Sequence, residues 1–551
     1  FSAFAMKIKK ACTSPLACFL LLFTLNFSVG ALVVSQEQQR ERRVGAPVVP
    51  SAPVAAPVPV MTPGASASAA VASAPKSVAA LQARIAGLMQ QPQLAPAMLA
   101  VKVVSLDTGR TLYEENANKL LRPASNMKIY TVAAALDRLS PDYRFKTSAY
   151  ASAPPDAAGT LRGDLIIYGR GDPSIAARFN NGDYYKGIDD FAARIAASGI
   201  KRVEGDLIGD ETYFNGPALG SGWEWDDLQW WYGAEVSALS VNDNSVDLFV
   251  KPGAAVGTPC TVTTGPITPL VSITNRTTTA PRGTKRELAV YRGLGENLIE
   301  VSGSLPLDDA GYTGSVAVSR PALLFIYMLR SSLAQRGVTI TGRSRTLDVR
   351  ARAGIPLETS TLLELASLQS PPLSIIAAQT MKPSQNLYTE LLLRTLGKVA
   401  GNSGAHRTSE EAGIEVVKTF LREAGVDPSG IIITDGSGLS RNDMVTAGAT
   451  LQLLTYMSRH RYAKAFLETM PIAGVDGTLK NRLKGTAAEN NVRAKTGTLS
   501  SAASLSGYVT SAAGERLVFS IMANNYPESA DARKSFIDEI VILLASLDTK
   551  S

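Results

Sequence analysis

Apolar residues at 536, 537, 540, 541, 544 and 547 recur with a helical period, so the spacing predicts a terminal helix that buries one face. Just before it, Leu505 to Thr510 and Arg516 to Ala523 read as adjacent strands, and Ala100 to Ser105 supplies another from the far end of the chain. Met127, Val132 and Leu136 mark a helix that Ser125 opens. Such elements bury their apolar faces as an antiparallel sheet covered by helices, an α+β fold with the terminal helix on one face. The middle of the chain is patterned differently. Gly163-Asp164-Leu165-Ile166-Ile167-Tyr168 and Val246-Asp247-Leu248-Phe249-Val250 read as strands among many Gly, Pro and Thr, which predicts β-rich modules. A helix over Pro321 to Arg336 and a strand over Val338 to Thr341 would close them.

The N-terminal stretch departs from this pattern. Phe1 to Ala5 precede Met6, the first plausible start, and read as upstream translation or an appended scar. Lys7, Lys9 and Lys10 then lead into the apolar run Leu16 to Leu25 and the small residues Ser28-Val29-Gly30-Ala31, the order of a cleavable secretory signal. Residues 1–31 are therefore expected to be leader and signal peptide, and the location periplasmic. Thr24, Asn26 and Ser28 dilute the run below a good membrane helix, so membrane association is expected to be weak or none after cleavage. Residues 32–77 read as a Pro/Ala-rich linker. Its core, Ala46 to Ser77, holds seven prolines and one charge, Lys76, and suits an extended tether.

Charge and cysteine usage narrow the partners. The net charge is +7, and loss of the three leader lysines leaves a modest excess. This suits an anionic cell-wall polymer better than nucleic acid, for which a basic stripe is expected. Cys12 and Cys18 fall in the leader, so Cys260 stands alone and forms no intrachain disulfide.

Three strings carry candidate chemistry: Ser125-Asn126-Met127-Lys128, Ser384-Gln385-Asn386 and Lys495-Thr496-Gly497. In a chain of 551 residues S-x-x-K should arise by accident about twice and K-T-G on the order of 0.1 times. Their occurrence together, in this order, points to active-site serine acyl transfer. A serine hydroxyl is a weak nucleophile until a neighbour takes its proton. Residues three apart share a helix face, so the Lys128 amine can reach Ser125. As a base it must be neutral, which calls for desolvation and a second cation nearby, and Lys495 is the candidate. Competing chemistries lack their residues. Only His406 and His460 exist, with no G-x-S-x-G, so a Ser-His-Asp triad is poorly supported. His406 lies in the polar run Asn402 to Ser409 and reads as a surface loop. Without H-E-x-x-H or C-x-x-C, no metal and no cofactor are expected.

Longer stretches extend the signal. Gly169-Arg170-Gly171-Asp172-Pro173, Tyr232-Gly233-Ala234, Asp435-Gly436-Ser437-Gly438-Leu439-Ser440-Arg441, Ala473-Gly474-Val475-Asp476-Gly477-Thr478-Leu479 and Ala494-Lys495-Thr496-Gly497-Thr498-Leu499 resemble the D-alanyl-D-alanine carboxypeptidase/endopeptidase family of penicillin-binding protein 4. The likeness runs from about residue 95 to 545. One departure is Gln385, where the family more usually has Asp in the variable middle of Ser-Asp-Asn.

The resemblance implies a serine DD-peptidase that acts on peptidoglycan stem peptides and is acylated by β-lactam antibiotics. It leaves open whether crosslinks are also cut. It implies Ser125 as nucleophile, Lys128 as general base and Ser384 as relay to the leaving amine. Asn386 would bind the acyl-side amide, and Lys495, Thr496, Gly497 and Thr498 the end carrying the terminal carboxylate. Backbone N–H groups of Ser125 and Thr498 would form the oxyanion hole. All four tryptophans fall between Trp223 and Trp231. Such a cluster can fill a core or domain junction. The resemblance adds the expectation that Asp226, beside Trp223, reads the amine of the stem's diamino acid.

The motif spacing places the extra mass. Ser125 and Ser384 stand more than twice as far apart as Ser384 and Lys495. A serine β-lactamase/transpeptidase-like domain of residues 78–142 and 348–551 is therefore expected to be interrupted by a β-rich insertion of one or two domains at 143–347. A third domain nested around 247–316 is possible on this reading. Two other functions fit the sequence less well. A β-lactamase would need a dedicated deacylation glutamate, which the sequence does not identify, and a non-catalytic cell-wall-binding protein would not need all three motifs intact.

Overall fold

The computed structural model describes residues 74–352, 354–401, 407–426, 431–527 and 530–551. The expected leader and signal, most of the linker and His406 lie outside the described residues. The two flanks of the chain meet in one antiparallel sheet. Its strands are β1 (Met98–Ser105), β2 (Thr111–Glu115), β3 (Arg493–Leu499), β4 (Ala502–Thr510) and β5 (Arg516–Asn524), in the order β3-β4-β5-β1-β2. Met98 stands opposite Asn524 and Arg493 opposite Tyr508, so the first and last parts of the chain are stitched together by β1 and β5.

Side chains alternate across a strand, so this sheet serves two cores. Leu99, Val101, Val103, Phe519 and Ile521 face one core, with Leu81 and Ile85 of helix α1 (Val78–Met89) and the terminal helix. Phe536, Ile537, Ile540, Val541, Leu544 and Leu547 are all buried there, as the helical spacing requires. Ala100, Val518 and Met522 face the other core, built on helix α2 (Met127–Leu139). Helices α3 (Leu373–Met381), α4 (Asn386–Val399), α5 (Ser409–Glu423) and α6 (Ala447–Met457) pack around it. The result is the α+β architecture expected.

Helix α2 is buried at every position from Met127 to Leu136, as befits a helix running through the middle of a core. It begins two residues later than the sequence suggests. Ser125 sits in a single 3₁₀ turn, Ala124–Asn126, because the chain enters through Ala124 in a left-handed conformation (φ 48°).

The insertion is β-rich. A mixed five-stranded sheet contains Lys146–Ala151, Leu165–Tyr168, Leu207–Asp210, Ser344–Leu347 and Leu363–Gln369, with helices Lys186–Ala197 and Pro321–Gln335 in its core. Further three-stranded sheets include one of Ser272–Ala280, Leu298–Pro306 and Glu287–Arg292, and one of Tyr312–Ala317, Ser245–Lys251 and Thr261–Gly265. Leu363–Gln369 lies past the expected end of the insertion at 347, yet it pairs antiparallel with Lys146–Ala151. The chain therefore leaves this sheet only after Gln369, just before α3.

Candidate active site

Burial of α2 dictates the state of Lys128. Its amine has no access to water and donates three hydrogen bonds, to Ser125 Oγ (2.9 Å), Asn386 Oδ1 (2.6 Å) and the Ser437 carbonyl (2.8 Å). Desolvation pushes this amine down to about 7, against the opposing pull of Asp435, Glu390 and Asp443. A lysine so placed can exchange a proton with the serine hydroxyl near neutral pH.

The second motif joins α3 to α4. Ser384 adopts φ +64°, a left-handed conformation that strains a residue bearing a Cβ, and such strain concentrates where geometry is over-determined. Gln385 is buried, and its Oε1 accepts the Leu387 N–H at 3.2 Å. Gln385 is thus the N-cap of α4, a role that Asp also fills. Asn386, the first residue of α4, accepts from Lys128 and donates from Nδ2 to the Tyr232 carbonyl (2.8 Å).

Lys495 on β3 is also fully buried and donates to Ser384 Oγ and to the Thr496 carbonyl, both at 2.8 Å. Burial holds its amine well below the ordinary lysine range, and the Lys128 charge pushes further the same way. The sequence reading had Lys495 depressing Lys128. Here burial is the main cause for both amines, and the repulsion between them adds to it.

The three motifs thus form one chain of contacts. Asn386 ties the second motif to Lys128 and Ser125, and Ser384 ties it to Lys495. The remaining residues of β3 line its edge. Thr496 Oγ1 donates to Thr478 Oγ1 (2.7 Å), which gives the 473–479 segment its place, and Thr498 is exposed. Gly497 has no room for a side chain, since a Cβ would stand 2.5 Å from the Pro123 carbonyl and 3.1 Å from Ser125 N. Only glycine lets β3 run flush against the Ser125 turn. Gly438 packs on the other side, where a Cβ would meet the Ala124 carbonyl at 1.9 Å.

The tryptophan cluster divides. Trp230 is buried in the insertion core and Trp225 is 63% exposed. Trp223 is half-buried and donates from Nε1 to Asp435 Oδ2 at 2.8 Å. Asp226 is exposed beside it, while Asp227 and Glu224 pair with Arg441 at 3.5 and 2.9 Å. Burial pushes the Asp227 carboxyl up to about 6. Arg292 Nη2 donates to the Leu228 carbonyl, so the small sheet of the insertion holds this loop from behind.

Sequence reasoning passed over the Ser437 and Tyr232 carbonyls, Glu390, Thr478 and Arg441. Carbonyls leave no sequence trace, and the run Asp435 to Arg441 read only as a tight loop near the site. A cavity of ≈ 270 Å³ lies apart from the motif residues, lined by Arg178, Tyr184, Trp231, Asp243 and Asp247 among others. Its carboxylates are already engaged, Asp247 by Tyr184 and Ser315 and Asp243 by Arg178 and Tyr388, so it offers no unpartnered acid.

The chain matches the model of the D-Ala-D-Ala carboxypeptidase 3 (S13) family over residues 81–547. It is 36% identical over 499 residues to a D-alanyl-D-alanine carboxypeptidase of Actinomadura sp. (strain R39), covering 89% of this chain and 88% of that protein. It is 27% identical over 430 residues to the D-alanyl-D-alanine carboxypeptidase DacB of Haemophilus influenzae, covering 77% and 84%. The crystal structure of penicillin binding protein 4 from Haemophilus influenzae superimposes with a TM-score of 0.69 at 25% identity, over 83% of this chain and 97% of that one.

Proposed function

The chain belongs to the D-Ala-D-Ala carboxypeptidase 3 (S13) family, and from that premise we propose that it is a serine DD-peptidase acting on D-Ala-D-Ala-terminated peptidoglycan stem peptides through an acyl-enzyme on Ser125. The contact between Lys128 Nζ and Ser125 Oγ, with the amine buried, carries this reading. Ser125 Oγ attacks the carbonyl of the penultimate D-alanine as its proton passes to Lys128. The backbone N–H groups of Ser125 and Thr498 bind the resulting oxyanion, where losing one donor typically costs about 3 to 4 kcal/mol. The proton moves through Ser384 to the leaving amine, D-alanine departs and an ester remains. Water then attacks the ester and gives up its proton to the Lys128 amine, which passes it to Ser125 Oγ as the ester C–O bond breaks and the shortened peptide leaves.

The substrate's terminal carboxylate faces Lys495, Thr496, Gly497 and Thr498, whose buried ammonium gains the anion it lacks in the free enzyme. Asn386 Nδ2 has a second hydrogen for the acyl-side carbonyl beyond the one given to Tyr232. β-Lactams acylate the same serine. We place the catalytic domain in residues 78–142 and 348–551, the insertion at 143–347 with Leu363–Gln369 completing its sheet, and a nested unit around 247–316. Export to the periplasm rests on the signal-like order of residues 7–31. Among the described residues no helix is long and apolar enough to cross a membrane.

Hydrolysis of bisacetylated Lys-D-Ala-D-Ala with release of free D-alanine is the expected outcome. No release from folded protein would overturn the reading. Trp223 and Asp226 are proposed to receive the diamino acid side chain of the stem. Asp226→Ala is expected to lower kcat/KM for a stem peptide with a free side-chain amine by about tenfold, with little change on the bisacetylated peptide. Equal loss on both would remove Asp226 from that role.

A further inference from the structure

Asp435 is fully buried beneath the site and is surrounded by donors. Oδ1 accepts the N–H groups of Ser437 (3.0 Å) and Gly438 (2.6 Å), and Oδ2 accepts those of Ser440 (2.8 Å) and the Trp223 indole (2.8 Å). Four N–H donors with no acceptor among them call for an ionised carboxylate. The loop it organises is held from two further sides. Thr131 of α2 donates to the Gly436 carbonyl (2.8 Å), and Glu390 of α4 accepts the Gly436 N–H (3.1 Å). What this turn delivers is the Ser437 carbonyl, one of the three acceptors of Lys128.

We propose that Asp435 is a positioning residue that couples the general base to the substrate wall, shaping the turn that orients Lys128 while anchoring the insertion loop through Trp223. Through the first arm it fixes the direction of the amine toward Ser125. Through the second it ties the loop carrying Trp223 to Tyr232, whose carbonyl holds Asn386, to that same turn. Formation of the substrate wall and aiming of the base are then one event. This role rests on the proposed parts of Ser125 and Lys128, since it acts only through them.

The groups facing Lys128 are Asn386 and Glu390 from α4, Asp435 and Asp443 from the loop, and Lys495 from β3. Burial and the Asp435 charge hold Asp443 well above the usual carboxyl range, and burial, with the Asp435 charge second, lifts Glu390 to about 8. Of the three carboxyl groups that raise the Lys128 proton affinity, Asp435 acts most strongly. Removing it lowers that affinity, and the acid limb of acylation moves to lower pH.

The test is acylation of the full chain by benzylpenicillin across the pH range, for native protein, Asp435→Asn and Trp223→Phe, with folding followed by circular dichroism. Folded Asp435→Asn is expected to acylate on the order of 10²-fold more slowly, with its acid limb displaced to lower pH. Trp223→Phe, which removes only the indole donor, is expected to slow the same small acyl donor by about threefold or more. Acylation of both variants within about twofold of native overturns the proposal. If Asp435→Asn does not fold, Trp223→Phe decides alone by the same thresholds. Native protein that is not acylated at all would instead refute the proposed function, so the two failures are distinguishable.

Discussion

Ser125→Ala is expected to leave a folded protein that takes up no covalent penicillin and releases no D-alanine from a D-Ala-D-Ala peptide. The oxygen removed is the one atom that forms the ester, and neither Ser384 nor Ser437 can replace it. Ser384 Oγ accepts from Lys495, and Ser437 is buried with its carbonyl, not its hydroxyl, toward Lys128. Fold should survive, because Ser125 lies in a short turn whose backbone position is set by Gly497 and Gly438 packing on either side. Intact-protein mass spectrometry after exposure to benzylpenicillin reads the result, with native protein gaining one penicilloyl group. A mass increase of that size in Ser125→Ala would move the nucleophile elsewhere. The native adduct is expected to persist far longer than a β-lactamase turnover, since among the described residues Lys128 is the base hydrogen-bonded to Ser125 Oγ and no carboxylate is.

The second large effect concerns Lys128. With its amine held at about 7, acylation by native protein should fall about tenfold per pH unit below neutrality, as the amine gains a proton and loses the ability to accept one from Ser125. Above that point the rate levels off until another group titrates. Lys128→Met keeps the buried stem but removes the proton acceptor, and should lower the acylation rate by about 10³-fold or more. The variant's remaining rate should also lack the acid limb that native protein shows near pH 7. Stopped-flow acylation at several pH values measures both. An unchanged limb in Lys128→Met would assign that titration to another group.

Much of this molecule was legible in one dimension. Residues 536–547 spaced their apolar positions as a helix must, and each of those positions is buried. The three motif strings named the serine, the amines and the amide that the structure brings within hydrogen-bonding reach. The chemistry proposed for them needs those residue types, so composition and order sufficed to point to them. The hidden parts were of another kind. Nothing in the sequence signalled that Leu363–Gln369 pairs with Lys146–Ala151, because strand pairing over such separations depends on a partner that local pattern does not name. Gln385 stood in a motif yet caps a helix.

What the sequence determined by itself was the inventory: a serine and a lysine three residues on that suit a nucleophile and its base, an amide, a second amine, and a fold class able to hold them. Tertiary structure alone decided their state. Lys128 can serve as a base because α2 lies in the centre of a core and water is excluded from it, and burial holds Lys495 down in the same way. Proton affinity follows from desolvation and from charges contributed by segments hundreds of residues away. No local spacing encodes either quantity.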